Sequence, residues 1–138
     1  MNKNEIFKFL NVNPVFHLAT VEGNKPHVRG MLLYRADENG IVFTTGKTKD
    51  LDKQLSENPR SELCFNNYQD NVQIRIMGSV ELVEDLEFKK EIVSKREFLK
   101  PWIEKAGYEM LSVYRLKSGI TTIWNFKTNF EPKTYVEL

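Results

Sequence analysis

With 41% hydrophobic and 28% charged residues over 138 positions, the chain has an ordinary globular composition, which excludes a disordered segment, a collagen-like repeat and a disulfide scaffold. A chain this long buries about two-thirds of its unfolded surface, leaves roughly 7,500 Å² accessible and is expected to form a single domain over residues 1–138. The 20 Lys and Arg against 19 Asp and Glu leave a net charge of +1, too little to hold a polyanion, so neither nucleic acid nor a membrane is an expected partner.

The opening residues, Met1 to Phe7, lack the apolar stretch of a signal peptide, and no run approaches the ~18 apolar residues of a membrane span, so a cytoplasmic protein is expected. Ile6, Phe7, Phe9 and Leu10 share one side of a helix that Asn13-Pro14 stops, which predicts a short lid helix. Turn signals at Glu22-Gly23-Asn24 and Asp37-Glu38-Asn39-Gly40 divide the next part into strands near residues 15–22, 26–36 and 40–45. Thr48 to Glu57, with Leu51 and Leu55 four apart, reads as a short amphipathic helix ended by Asn58-Pro59. Strand texture returns at Leu63 to Phe65. It returns again over Val72 to Glu84, where Val72, Ile74, Ile76, Val80 and Leu82 share one face with Gly78, and Gln73, Arg75, Ser79 and Glu81 share the other.

Asp85 to Leu99 predicts a helix with Leu86, Phe88, Ile92, Val93 and Leu99 inward, and Lys100-Pro101-Trp102 starts a second short helical piece. Glu109 to Lys117 and Ile120 to Lys127 read as a hairpin turning at Ser118-Gly119, followed by a tail strand. Six or seven strands with helices between them imply a mainly β fold, a small antiparallel barrel with helices at its openings.

Few residues offer chemistry of their own. His17, inside Val15 to Ala19, reads as a satisfied structural histidine, and His27 as an exposed or hydrogen-bonded strand-edge residue. Cys64, between Leu63 and Phe65, reads as an inert core thiol; as the one cysteine it makes no internal disulfide, and no residues have the spacing of metal ligands. Walker-type and dinucleotide-binding glycine loops are absent from the sequence, and no catalytic residue is identified. What remains is Thr44-Thr45-Gly46-Lys47-Thr48-Lys49-Asp50-Leu51, where hydroxyls, two lysines and free backbone N–H groups gather at a strand end and a helix start; such a place suits an anion, although lysines beside a surface helix are also commonly just solvated.

Four stretches taken together resemble the flavin-binding split-barrel family related to pyridoxamine 5′-phosphate oxidase. They are Phe16-His17-Leu18-Ala19-Thr20-Val21-Glu22-Gly23, Pro26-His27-Val28-Arg29-Gly30-Met31, Phe43 to Lys49 followed by Asn58-Pro59-Arg60, and Ile76-Met77-Gly78. The closing Glu131-Pro132-Lys133-Thr134 is similar to the tail of a short, single-domain bacterial branch. The resemblance implies an antiparallel split β-barrel with flanking α-helices, and FMN bound across the interface of a homodimer. It implies FMN contacts from Arg29, Gly30, Met31 and Leu32 along one strand, Thr44 and Thr45 at the end of the next, Lys49 at the phosphate, and Gln73; Trp124 is expected to border a flat ring at the interface.

Two departures bear on the reaction. Tyr34 stands where the oxidases have a lysine, and Lys47-Thr48-Lys49-Asp50 where they have a Ser-Arg-Lys run. The stretch Ile120 to Leu138 also supplies neither arginine nor histidine for a second phosphate. The expectation is an FMN-dependent oxidoreductase acting on a small molecule, and not a true pyridoxamine phosphate oxidase. A flavin- or haem-binding storage or sensor protein is the alternative; an oligonucleotide-binding barrel is a third class, which the +1 charge counts against.

Overall fold

In the computed structural model, which describes residues 1–138, the Asn2 side chain accepts the Glu5 backbone N–H at 2.9 Å and the Glu5 carboxylate accepts the Asn2 N–H in return. This reciprocal cap starts helix α1 (Lys3–Val12). Ile6 and Leu10, one turn apart, are fully buried, and Asn11 exchanges hydrogen bonds of 2.8 and 3.0 Å with the Ala36 backbone. The helix expected as a lid is therefore built into the core and is no lid.

The strands number ten, more than the six or seven expected. Six of them, β1 (Val15–Glu22), β2 (Lys25–Leu32), β5 (Arg60–Asn67), β6 (Val72–Ser79), β9 (Ile120–Asn125) and β10 (Thr134–Glu137), form an antiparallel sheet in the order β10-β9-β6-β5-β1-β2. The other four, β3 (Arg35–Asp37), β4 (Gly40–Gly46), β7 (Glu81–Leu82) and β8 (Leu111–Leu116), form a second sheet in the order β3-β4-β8-β7. With helices α2 (Asp50–Glu57), α3 (Leu86–Lys95) and α4 (Lys100–Ala106), this is a mainly β, antiparallel split barrel with flanking helices.

The chain changes sheets where single strands were expected. The strand read over 26–36 breaks because the Leu33 N–H bonds the Pro14 carbonyl at 2.8 Å while the next N–H, of Tyr34, bonds Val42 at 2.9 Å in the other sheet. The run 72–84 divides in the same way into β6 and β7 at the buried Val80, which leaves Leu82 exposed.

The hairpin expected at Ser118-Gly119 does not form. Leu111 to Leu116 pair with Gly46 to Ile41 of β4, whereas Ile120 to Asn125 pair with Met77 to Val72 of β6. At this crossing a Cβ on Gly119 would lie 2.7 Å from the Met77 carbonyl oxygen, and one on Gly78 2.7 Å from that of Ser118, so the two backbones meet at a distance that only glycine permits.

Between the sheets Phe16 stacks on Phe65 with centroids 4.7 Å apart and meets Phe43 edge-on at 5.8 Å, so one ring joins both sheets. Leu51 and Leu55 of α2 pack into this core, and Tyr114 of β8 fastens that helix by donating to Asp52 Oδ1 at 2.7 Å. Burial, and then the Asp52 carboxylate, push the Tyr114 hydroxyl well above its ordinary pKa. A second cluster, with Ile92, Val93 and Ile103 against Val42, Leu111 and Val113, seats α3 and α4 on the far face of the four-stranded sheet. Leu86 is exposed instead of inward, and α3 ends at Lys95, with Glu97–Leu99 forming a separate tight turn.

The outer face of the six-stranded sheet remains open. Val15, Val28 and Leu32 are exposed there, and the accessible area of 8611 Å² exceeds the roughly 7,500 Å² expected for this size. His17 projects from the same face, exposed and without a hydrogen-bond partner, so it is not the satisfied structural residue expected. Cys64 lies opposite it in register and is half-buried on that face, outside the core. Burial pushes its thiol pKa up.

Candidate functional site

Strand β2, the end of β4 and the start of α2 converge, and two adjoining cavities open between them. The first, of ≈ 450 Å³, has Gly30, Met31 and Leu32 of β2 and Thr44, Thr45 and Gly46 of β4 along one side. Ile92, Phe98, Leu99, Trp102 and Leu111 form its apolar opposite wall. The second, of ≈ 750 Å³, is polar and is lined by Arg29, Thr48, Lys49, Lys53 and Gln54, with Asp50 and Glu22 at its margin. Gly30, Met31, Thr45 and Lys49 line both.

Helix α2 starts from Lys49 with no side-chain cap, unlike α1 and α3, which Asn2 and Asp85 cap. No side chain pairs its first-turn N–H groups, and Asp50 and Leu51 of that turn line the second cavity. Arg29 donates to Thr20 Oγ1 at 2.8 Å, to the Leu18 carbonyl at 3.3 Å and to Gln54 Oε1. Burial lowers its pKa and the negative charge of Asp50 offsets part of that.

On the helical side of the first cavity two polar side chains are already engaged. Tyr34 donates to Glu91 Oε2 at 2.6 Å; burial, then this carboxylate, push its hydroxyl up to about 12. Arg96 donates to the Leu33 carbonyl at 2.8 Å and stands 5.5 Å over the Tyr34 ring.

Of the residues singled out in the sequence, Arg29, Gly30, Met31, Leu32, Thr44, Thr45 and Lys49 come together here. Gln73 and Trp124 do not. They face each other in register on β6 and β9 and line a third cavity with Arg75, Asn129 and Lys133. Strand β6 stands three places from β2, about 14 Å at the usual strand spacing, and β9 one place further. His27 has the strand-edge role expected, 3.3 Å from Glu22.

The sequence profile of the pyridoxamine 5′-phosphate oxidase family matches residues 3–116, which covers β2, β4, α2 and both cavities. The chain belongs to that family. A pyridoxine-5′-phosphate oxidase of Dictyostelium discoideum is 42% identical over 81 residues, 58% of this chain and 35% of that one. A pyridoxine/pyridoxamine 5′-phosphate oxidase of Allorhizobium ampelinum is 37% identical over 108 residues, 75% of this chain and 52% of that one. The chain thus spans about half or less of the length of these relatives. A solved NimC/NimA family protein of Clostridium acetobutylicum superposes with a TM-score of 0.80 at 27% identity, over 99% of this chain and 93% of that one. A pyridoxamine 5′-phosphate oxidase-related, FMN-binding protein of Nostoc punctiforme shares the fold, with a TM-score of 0.65 at 17% identity over 96% and 87% of the two chains.

Beside the residues singled out as flavin contacts, the structure adds Thr20, Gln54, Tyr34, Arg96, Phe98, Leu99 and Trp102 to the surroundings of the two cavities. Thr20 and Gln54 carried a signal in the sequence: each is a polar residue on an otherwise apolar stripe, after Phe16 and Leu18 in β1 and between Leu51 and Leu55 in α2. Arg96 and Phe98 carried none, because the turn that brings them to the cavity has no periodic pattern. No group of three His, Cys, Asp or Glu is placed to hold a metal ion, and no helix is long and apolar enough to cross a membrane.

Proposed function

We propose that the chain is an FMN-dependent oxidoreductase, active as a homodimer, that passes electrons between flavin and a neutral, planar small molecule. The observation that carries this reading is the joined pair of cavities, one polar and cationic, the other apolar, sharing strand β2, which the resemblance implies would contact the flavin. Lys49, Thr45, Thr48 and the uncapped first turn of α2 would hold the phosphate. Gly30, Met31, Leu32 and Thr44 would flank the ring, and a Cβ-free Gly30 with no atom within 4 Å of the missing position leaves room for it. Bound there, FMN would supply hydride or electron transfer, which no side chain of this site offers.

The second reactant meets the remaining wall of the first cavity. A phosphorylated amine would need several fixed cations there, but that wall offers one guanidinium, Arg96, beside Tyr34, which is engaged with Glu91, and otherwise apolar groups. A quinone or nitroaromatic fits that wall better. The purified protein should show flavin absorbance near ~370 and ~450 nm; a Soret band would turn the reading toward haem. Reduced without oxygen and then offered a quinone, a nitroaromatic or pyridoxamine 5′-phosphate in separate runs, it should be reoxidised by the first two. Formation of pyridoxal phosphate at about 1 s⁻¹ or faster would overturn the assignment.

Dimerisation is supported by the open outer sheet face, with Val15, Val28 and Leu32 exposed, and by the distance between the Gln73–Trp124 pair and the paired cavities. A second copy would bring its own Gln73 and Trp124 to complete the site. Light scattering at micromolar concentration should report a dimer. A monomer that keeps its flavin contradicts the shared site.

A further inference from the structure

Arg29 makes no ion pair anywhere in the chain, although its guanidinium is half-buried. All of its acceptors are neutral: the Leu18 carbonyl, Thr20 Oγ1 and Gln54 Oε1. A guanidinium only donates, and that settles the other protons. Thr20 accepts from Arg29, so its own proton goes to Gln54 Oε1, 2.6 Å away. Gln54 must then turn its carbonyl oxygen to both neighbours, which removes the usual ambiguity between amide oxygen and nitrogen. Its Nε2 is left on the far side of the amide with no protein acceptor, on a side chain only 5% exposed that lines the second cavity. Thr20 is 1% exposed, so water does not loosen the triangle.

We infer that Gln54 is a positioning residue: with Thr20 it fixes the Arg29 guanidinium through neutral acceptors, so that its charge stays available to a phosphate monoester in the second cavity, and it offers its own Nε2 to the same ligand. This rests on the reading of that cavity as the phosphate end of the cofactor site. The neutrality of the amide is the point. A glutamate of the same shape would accept the same two hydrogen bonds but would also cancel the guanidinium charge in an internal ion pair.

The test compares wild type, Gln54→Glu and Gln54→Met, each titrated with FMN and, separately, with riboflavin by quenching of flavin fluorescence. Gln54→Glu should weaken FMN by about tenfold or more, the usual effect of losing a charge-assisted bond, and change riboflavin little. Gln54→Met, which frees the guanidinium without neutralising it, should show a smaller loss with the same selectivity for the phosphate and keeps the test open if the glutamate variant does not fold. Equal losses for FMN and riboflavin in the variants would make Gln54 merely structural, and an unchanged FMN affinity would remove it from the site; either overturns the inference.

Inorganic phosphate added to the flavin-free protein gives a readout without the cofactor. The melting temperature of the wild type should rise and that of Gln54→Glu should stay flat. A wild type that responds to phosphate through Gln54 but binds no flavin removes the FMN assignment and leaves the inference standing. A wild type that prefers FMN to riboflavin irrespective of residue 54 removes the inference alone. A wild type that takes neither FMN nor phosphate overturns both.

Discussion

Phe16→Ala should lower the unfolding free energy by about 3–5 kcal/mol, the usual loss for a buried phenylalanine. The ring is 0% exposed, stacked on Phe65 of its own sheet and edge-on to Phe43 of the other, so truncation leaves a cavity at the one aromatic contact that joins the two sheets. Its neighbours sit on strands with many cross-strand hydrogen bonds and have little freedom to close the gap. Urea denaturation measures the effect as a lower midpoint with an unchanged slope. A loss below about 1 kcal/mol, the ordinary cost of a random substitution, would mean that the sheets are not joined at this ring.

Lys49→Ala should weaken FMN binding by about tenfold or more, corresponding to the roughly 1.5–3 kcal/mol of a charge-assisted bond, while Lys47→Ala leaves it nearly unchanged. Both lysines are exposed and only two positions apart, so bulk electrostatics would treat them alike. Their surroundings differ. Lys49 lines both cavities at the start of α2, whereas Lys47 lines neither and spends its backbone N–H on the Met110 carbonyl at 2.9 Å. Calorimetric titration with FMN and riboflavin separates a phosphate contact from a general loss of charge. Equal, small effects for the two substitutions would return this segment to a solvated helix start.

Local periodicity made much of the fold legible. Ile74 and Ile76, and Leu51 and Leu55, occupy the faces that their spacing predicts, because each pattern reports burial of its own element. What the spacing does not contain is which sheet an element joins. Leu33, Val80 and Leu116 are apolar and buried like the core-facing residues of the strands beside them, so the changes of sheet there leave no break in the pattern. Ser118-Gly119 misled for the same reason: glycine serves a tight turn and a close crossing of backbones equally well. At the site, residues on β2, β4 and α2 converge because those elements are neighbours in the barrel, while Gln73 and Trp124 share a strand register elsewhere in the same sheet. Gln54 and Thr20 were visible as polar interruptions of apolar stripes, but their common acceptor role depends on Arg29 approaching from a third element.

The repeated passage of the chain between sheets also decides how the molecule can come apart. The six-stranded sheet draws on residues 15–32, 60–79 and 120–137, and the four-stranded one on residues 35–46 and 81–116, so each sheet is interleaved with the other along the chain. A single cut anywhere between residues 33 and 119 divides the strands of the six-stranded sheet between two fragments. Strands β1 and β10 of the larger sheet lie more than a hundred residues apart in sequence, so a nascent chain cannot complete that sheet until Thr134–Glu137 are available.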